Sequence, residues 1–487
     1  MNKILSIALV IVGLIVALVL MSSSLNAQTS SISYLVKYMG LILAGVAFFK
    51  PRWGIYIVIA EAFLVDYIKR VAVYYGTASQ VTIIEVMIVV MIGLVACIAG
   101  SLARGHISLK LKSAEDKLAV LCLVLGIIIS FAIIWSNKGD GFVGAFQKGF
   151  NTGAYMGIVS VLIALFPSFK SLKPLLFLAL ICVSLSSSIA IYQALVGFSK
   201  LDDFYMQTGL SPVASQQYLS SLFRGIEPRA FGLASGCQNF GGNAGAITIA
   251  IAVLVTKPKI GVRVVCWLSI VLVAYAMYLS RMKTGIVLVA ICPIVYLVFH
   301  YRWILWGFYS SAIVFMTFLF TKASYLRDNI AQYDRAFRGF LDLSETYSIQ
   351  TFEARLNGYA KLSDPNRFSL FGLDGEVKTH DILTIIYFKL GLIPVLAGLI
   401  AGLYIVYKLH HLSFLLPKGE WRNLYIAGLT FFSTGMAANI FGGSNLHSTP
   451  WNVLLWLNVS ICAFAWFKGR GQTSLNNVSE VNTQPIY

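Results

Sequence analysis

Residues 81–102 read VTIIEVMIVVMIGLVACIAGSL, twenty-two positions with one charged side chain, Glu85. As an α-helix such a run is about 33 Å long, enough to cross the ~30 Å hydrocarbon core of a bilayer. Its apolar residues are continuous rather than alternating, which argues against a barrel strand. Similar runs lie on both sides of it. Before it come 4–22, 33–49 and 53–68; after it come 117–135, 150–166, 174–197, 240–256, 262–279, 284–300, 303–320, 382–407, 423–441 and 450–467. The sequence therefore predicts an all-α, polytopic transmembrane helix bundle of about 12–14 spans. Residues 53–68 are short for a span and admit a re-entrant reading. The first run carries Lys3 and no well-placed small-residue cleavage site, so it reads as a retained helix rather than a cleaved signal.

Composition gives the same class. Hydrophobic residues make up 58% of the 487-residue chain and charged residues 12%, against about a quarter charged in soluble domains. Residues 1–470 read as one membrane domain, and the polar stretch 471–487, rich in Ser, Asn, Thr and Gln, reads as a disordered tail. The net charge of +17 has a location. Lys50, Arg52, Arg104, Lys110, Lys112, Lys170, Lys173, Lys257, Lys259, Lys408, Lys418, Lys468 and Arg470 all fall in one set of connections, and the opposite short loops are poor in Lys and Arg. The positive-inside rule then places both termini in the cytoplasm. No basic face interleaved with aromatics occurs, so nucleic acid is not an expected partner. Cys97, Cys122, Cys182, Cys266, Cys292 and Cys462 lie within spans and only Cys237 lies near an outer loop. No CxxC pair occurs, so neither a disulfide framework nor a metal site is expected.

Two outer loops are long, about 198–239 and 321–380. Loops of this length are usually functional or disordered. The second carries Arg327, Arg335, Arg338, Arg355 and Arg367 among many aromatics, which predicts a folded cap with a short helix over 351–361.

Candidate chemistry gathers on this outer rim. Ser280-Arg281-Met282-Lys283-Thr284-Gly285 is a turn of a few residues between two spans, which holds its cations at the membrane surface. Lipid-linked diphosphates present their charge at that depth, and guanidinium binds them bidentately. The alternative is snorkelling to ordinary lipid headgroups. Arg229-Ala230-Phe231-Gly232 is followed by Asn239-Phe240-Gly241-Gly242-Asn243-Ala244-Gly245, glycines that open a span. They read either as an anion-binding helix N-terminus or as small-residue helix packing. His380 is the general-base candidate, where the large loop re-enters the membrane, with Asp381 able to orient it or cap the helix. His447, before Ser448-Thr449-Pro450, competes for that role or belongs to helix-start chemistry. His106, His300, His410 and His411 read as interfacial residues of the cytoplasmic side. Glu61, Asp66 and Glu85 lie inside runs, where carboxylates mark ion or proton paths or pair with cations such as Lys37 and Lys389.

The order of these features resembles the O-antigen ligase and O-antigen polymerase superfamily of bacterial envelope glycosyltransferases. Arg229-x-x-Gly232 with Asn239 and Asn243, Ser280-Arg281 with Gly285, and Phe371-Gly372-Leu373-Asp374-Gly375 ahead of His380 carry the resemblance, together with Gly391-Leu392-Ile393 after it. It covers about residues 225–410. It implies an inner-membrane enzyme with a large periplasmic loop before the last three spans. The implied reaction is a metal-independent, inverting transfer without cofactor, from an undecaprenyl-diphosphate-linked glycan to a glycan or lipid-core acceptor. Other polysaccharide-assembly proteins are further possible partners. Arg229, Arg281, Lys283 and Arg355 would bind the diphosphate, Arg281 would stabilise the leaving group, and His380 would take the acceptor proton. Polymerase and ligase both remain open. The alternatives are a proton-coupled transporter or lipid-carrier flippase, and a peptidoglycan polymerase, to whose loop motif no match is found.

Overall fold

The computed structural model of the protein describes residues 31–136, 149–211, 228–301, 391–442 and 448–481, with isolated positions between them. Among the described residues the architecture is helical, with no strand. The chain divides into two units: Met1–Pro293 with Ser413–Phe432 and Asn445–Tyr487, and Ile294–Leu412 with Ser433–Ser444.

In the first unit α1 (Ser31–Phe49), α2 (Pro51–Tyr75) and α3 (Gln80–Ala103) pack on one another. Pro51 sits at the first helical position of α2, where its missing N–H is not needed. Ser79 caps α3 by accepting from the Thr82 N–H at 3.2 Å. The buried face of α2 runs through Ile55, Val58, Ile59 and Ala62, the spacing of one helical stripe. α4 (Ala114–Ser136) follows, then a 3₁₀ turn (Ala154–Met156) leading into α5 (Gly157–Leu165), and then α6 (Phe169–Leu195). Ser168 and Ser171 form a reciprocal capping box at the start of α6. The short α7 (Lys200–Gln207) leads to α8 (Cys237–Phe240), a 3₁₀ turn (Gly241–Ala244) and α9 (Gly245–Val255). α10 (Ile260–Leu279) packs on α6 and α9. α11 is Lys283–Val298, α12 Leu392–Ser413, α13 Glu420–Gly442 and α14 Trp451–Val481.

Seven helices among the described residues are long and apolar enough to cross a membrane, and they fit a multi-pass membrane protein. Their outward faces agree. On α10, Ile260, Val264, Trp267, Leu268, Val271, Tyr275 and Tyr278 form an exposed stripe at helical spacing, while Cys266, Ser269, Val273, Ala276 and Met277 are buried behind it. A continuous apolar stripe of this kind is a surface for lipid rather than water. At one end of the first unit Arg104 donates to the Phe48 carbonyl at 2.6 Å and Arg52 to the Leu165 carbonyl at 3.1 Å. Lys468 pairs there with Glu115 at 3.0 Å.

The second unit includes α12, whose Ile393, Leu396, Ile400 and Tyr404 are exposed. His410 is fully buried against Phe299, ring centroids 4.2 Å apart, with Nε2 2.9 Å from the Phe299 carbonyl. It is a packed side chain and not the interfacial residue that its position suggests.

Other expectations also need revision. The short run 53–68 is the middle of the 25-residue α2. The runs 150–166 and 240–256 are each interrupted by a 3₁₀ turn. α14 continues to Val481, so helix covers most of the stretch that composition assigns to a disordered tail. No proline lies between Trp451 and Pro485, and an existing helix extends at one hydrogen bond per residue. The first run, 4–22, and the loop 321–380 lie outside the described residues, apart from an isolated position such as Tyr325.

Candidate functional site

At the end of the first unit opposite Arg104, α2 carries Asp66, Lys69 and Arg70 on one face. Lys69 donates to Asp66 Oδ1 at 2.6 Å. Arg70, fully buried, pairs with Asp202 of α7 and donates to the Gly232 carbonyl at 2.7 Å and the Ala234 carbonyl at 3.3 Å. Its guanidinium also lies 5.0 Å from the centre of the Phe231 ring. The other carboxylate oxygen of Asp202, Oδ2, accepts from Ser199 Oγ at 2.9 Å and from Gln193 Nε2 at 3.1 Å, and Ser199 caps α7 by accepting the Asp202 N–H at 3.2 Å. Gln193 Oε1 in turn accepts the Phe231 and Gly232 N–H groups at 3.0 and 2.8 Å. Asp66 Oδ2 accepts the Ser235 N–H at 3.0 Å, and Thr449 Oγ1 lies 3.5 Å from it. Every charge in the cluster has a partner, as buried ions require. Just outside the spans, burial and then the neighbouring Asp202 carboxylate raise the Asp203 pKa above its usual value.

The cluster pins the segment 229–235 to the bundle, and that segment leads into α8. Gly241 and Gly242 let other elements come close. A Cβ on Gly242 would lie 2.9 Å from the Trp451 backbone nitrogen, and one on Gly241 would touch Met282 at 3.4 Å. Trp451 Nε1 donates to the Gln238 carbonyl at 3.0 Å and its ring stacks on Phe431. The glycines therefore serve helix packing; their backbone is covered by Trp451 and is not open to an anion. Asn239 donates to Ser235 Oγ. Asn243 donates to Ser186 Oγ at 3.3 Å, while its Oδ1 is buried without a hydrogen-bond partner. Asn243 lines a cavity about the size of one water, with Phe63, Asp66, Ser186, Ala234, Thr449 and Pro450.

The Arg281 turn sits against this segment through Met282 and Gly285. Ser280 ends α10, and Arg281 follows at φ +52°, the left-handed conformation that usually falls to glycine. Ser280 and Met282 on either side are buried and Arg281 itself is half-buried. The structure thus brings together two stretches that the sequence marks separately, 229–245 and 280–285. Arg229 is half-buried at the start of the first. Lys283 opens α11. Arg355, His380, Asp381 and His447 lie outside the described residues, as does Lys389.

Lys69, Arg70, Gln193 and Asp202 were not marked in the sequence. A local signal existed, since Asp66, Lys69 and Arg70 have the i, i+3, i+4 spacing of a helical charge cluster. Asp66 accordingly pairs within its own helix and reads as an anchor rather than an ion path. Cys237 is buried at the head of α8.

Fold and surface together fit a multi-pass helical membrane protein. Comparison with known protein families, with characterised proteins and with solved structures finds no match.

Proposed function

We propose that this protein is an inner-membrane glycosyltransferase that moves a glycan from an undecaprenyl-diphosphate carrier to an acceptor hydroxyl at the periplasmic face. One observation carries the reading. Arg281 is held at a left-handed backbone position between buried neighbours, packed against the segment that begins at Arg229. A cation fixed at a helix end is suited to a diphosphate leaving group, because it needs no reorganisation as negative charge develops. In this reading Arg229, Lys283 and Arg355 add to the diphosphate site, and His380 accepts the acceptor's proton. Both termini are cytoplasmic and the 321–380 loop is periplasmic.

The test is reconstituted transfer with purified protein, lipid-diphosphate-linked repeat units and a candidate acceptor, resolved on a gel. A ladder lost in Arg281→Ala and in His380→Ala identifies a polymerase and its site. A single shift that needs added acceptor identifies a ligase. No product with any donor, alongside measurable solute or carrier-lipid flux, replaces the proposal with a transporter.

A further inference from the structure

Glu61 belongs to none of the clusters above. It lies on α2 and is 9% exposed. A Cβ built on Gly93 of α3 would come within 3.3 Å of its Oε2, so the carboxyl lies against that glycine. Gly93 is near the middle of Gln80–Ala103, one of the seven apolar helices. At helical rise it is about 20 Å from one end of α3 and about 15 Å from the other. If α3 crosses the bilayer, Glu61 sits at mid-depth.

Among the described side chains, none supplies it with a counter-charge. Glu61 Oε2 has no hydrogen-bond partner, and no salt bridge reaches the residue from the described residues. The cations on its own helix are occupied: Lys69 by Asp66, Arg70 by Asp202, and Arg52 by the Leu165 carbonyl. Of the elements packed on α2, α1 contributes Lys37, α3 contributes Glu85, α6 contributes Lys170 and Lys173 at its start, and α7 contributes Lys200, Asp202 and Asp203. Gly40 of α1 lies against Val89 of α3, so the Lys37 backbone is about 10 Å from the depth of Gly93, towards Glu85. Tyr155, ahead of α5, is close enough to feel the Glu61 carboxylate. None of these is a cation at the depth of Gly93. An ionised carboxylate without a partner in such a place is costly, and the group takes up a proton instead.

We propose that Glu61 is a mid-membrane proton-binding carboxyl, shielded from water, which a hydrophobic reagent dissolved in the bilayer reaches and a polar one does not. It is independent of the transfer chemistry. Dicyclohexylcarbodiimide is the probe. The carboxyl proton passes to a carbodiimide nitrogen, the carboxylate oxygen adds to the central carbon, and the O-acylisourea rearranges to a stable N-acylurea, so the adduct is the simple sum of the two reactants.

The experiment labels the full-length protein in lipid nanodiscs and maps adducts by mass spectrometry, with a water-soluble carbodiimide in parallel. The expected result is an adduct on Glu61 from the hydrophobic reagent only, lost in Glu61→Gln and kept in Glu61→Asp. Infrared spectra of the same samples should show a protonated-carboxyl C=O band that disappears in Glu61→Gln and survives in Glu115→Gln. Absence of a Glu61 adduct from folded protein overturns the proposal, as does equal labelling by the polar reagent. The infrared band stands as a readout even if a labelled variant folds poorly.

Discussion

Arg281 and Gly232 share a backbone region, φ +52° and +56°, but only one of them is glycine. An L-residue with a side chain in that region costs about 1–2 kcal/mol. Arg281→Gly should therefore leave the thermal midpoint in detergent unchanged or raise it, while abolishing transfer. Retained transfer in a stable Arg281→Gly protein would remove Arg281 from the site. His106 offers a second residue-level test, in the connection between α3 and α4. Burial, then the nearby Arg52 and Arg104, lower its pKa. Arg104→Gln should move its NMR titration upward, and an unmoved midpoint would mean that Arg104 does not reach it. The linked effect on stability has a definite sign. Between the lowered folded value and the ordinary histidine value, the unfolded chain binds more protons, so stability falls as pH falls through that window.

Among the elements, α2 shows best what the sequence gives away and what it hides. Its apolar stripe through Ile55, Val58, Ile59 and Ala62 is legible as a helix face. The boundaries of α3 differ from the run 81–102 by one residue at each end, because a long apolar helix ends where its polar flanks begin. By contrast α2 runs seven residues beyond the apolar stretch 53–68. Hydropathy stops at Lys69 and Arg70, but these charges are neutralised within the fold, and neutralisation by Asp202, 132 residues away, is invisible to any local window. For the same reason the role of the glycines before α9 was open: only the arrival of Trp451 decides it. Arg70→Ala should cost about 3–5 kcal/mol, since it leaves Asp202 buried and unpaired. Arg70→Ala with Asp202→Ala should recover part of that loss in a thermal melt. Additive losses would mean that the two charges are not coupled.

On the largest scale, charged residues of the first unit gather at two ends. Lys50, Arg104, Lys170 and Lys468 mark one, and the Asp66 cluster with the Arg281 turn marks the other. The proposed orientation predicts that, in sealed right-side-out vesicles, a polar maleimide labels Gly209→Cys and spares Lys112→Cys. The reverse pattern would invert the topology and move the proposed site to the cytoplasm. The native cysteines give little background: six of the seven are buried and Cys462 is partly so. The ties of α2 also set an order of assembly. Its partners are made late, Asp202 132 residues after Arg70, Ser235 169 residues after Asp66, and Thr449 383 residues after it. At about 5–20 residues per second, α2 leaves the ribosome roughly 7–26 s before Asp202 does. During that interval Arg70 keeps its guanidinium in water at the membrane surface, so this end of α2 packs down only once Asp202 arrives, and a nascent chain halted before Asp202 should be cut there more readily by added protease than the finished protein.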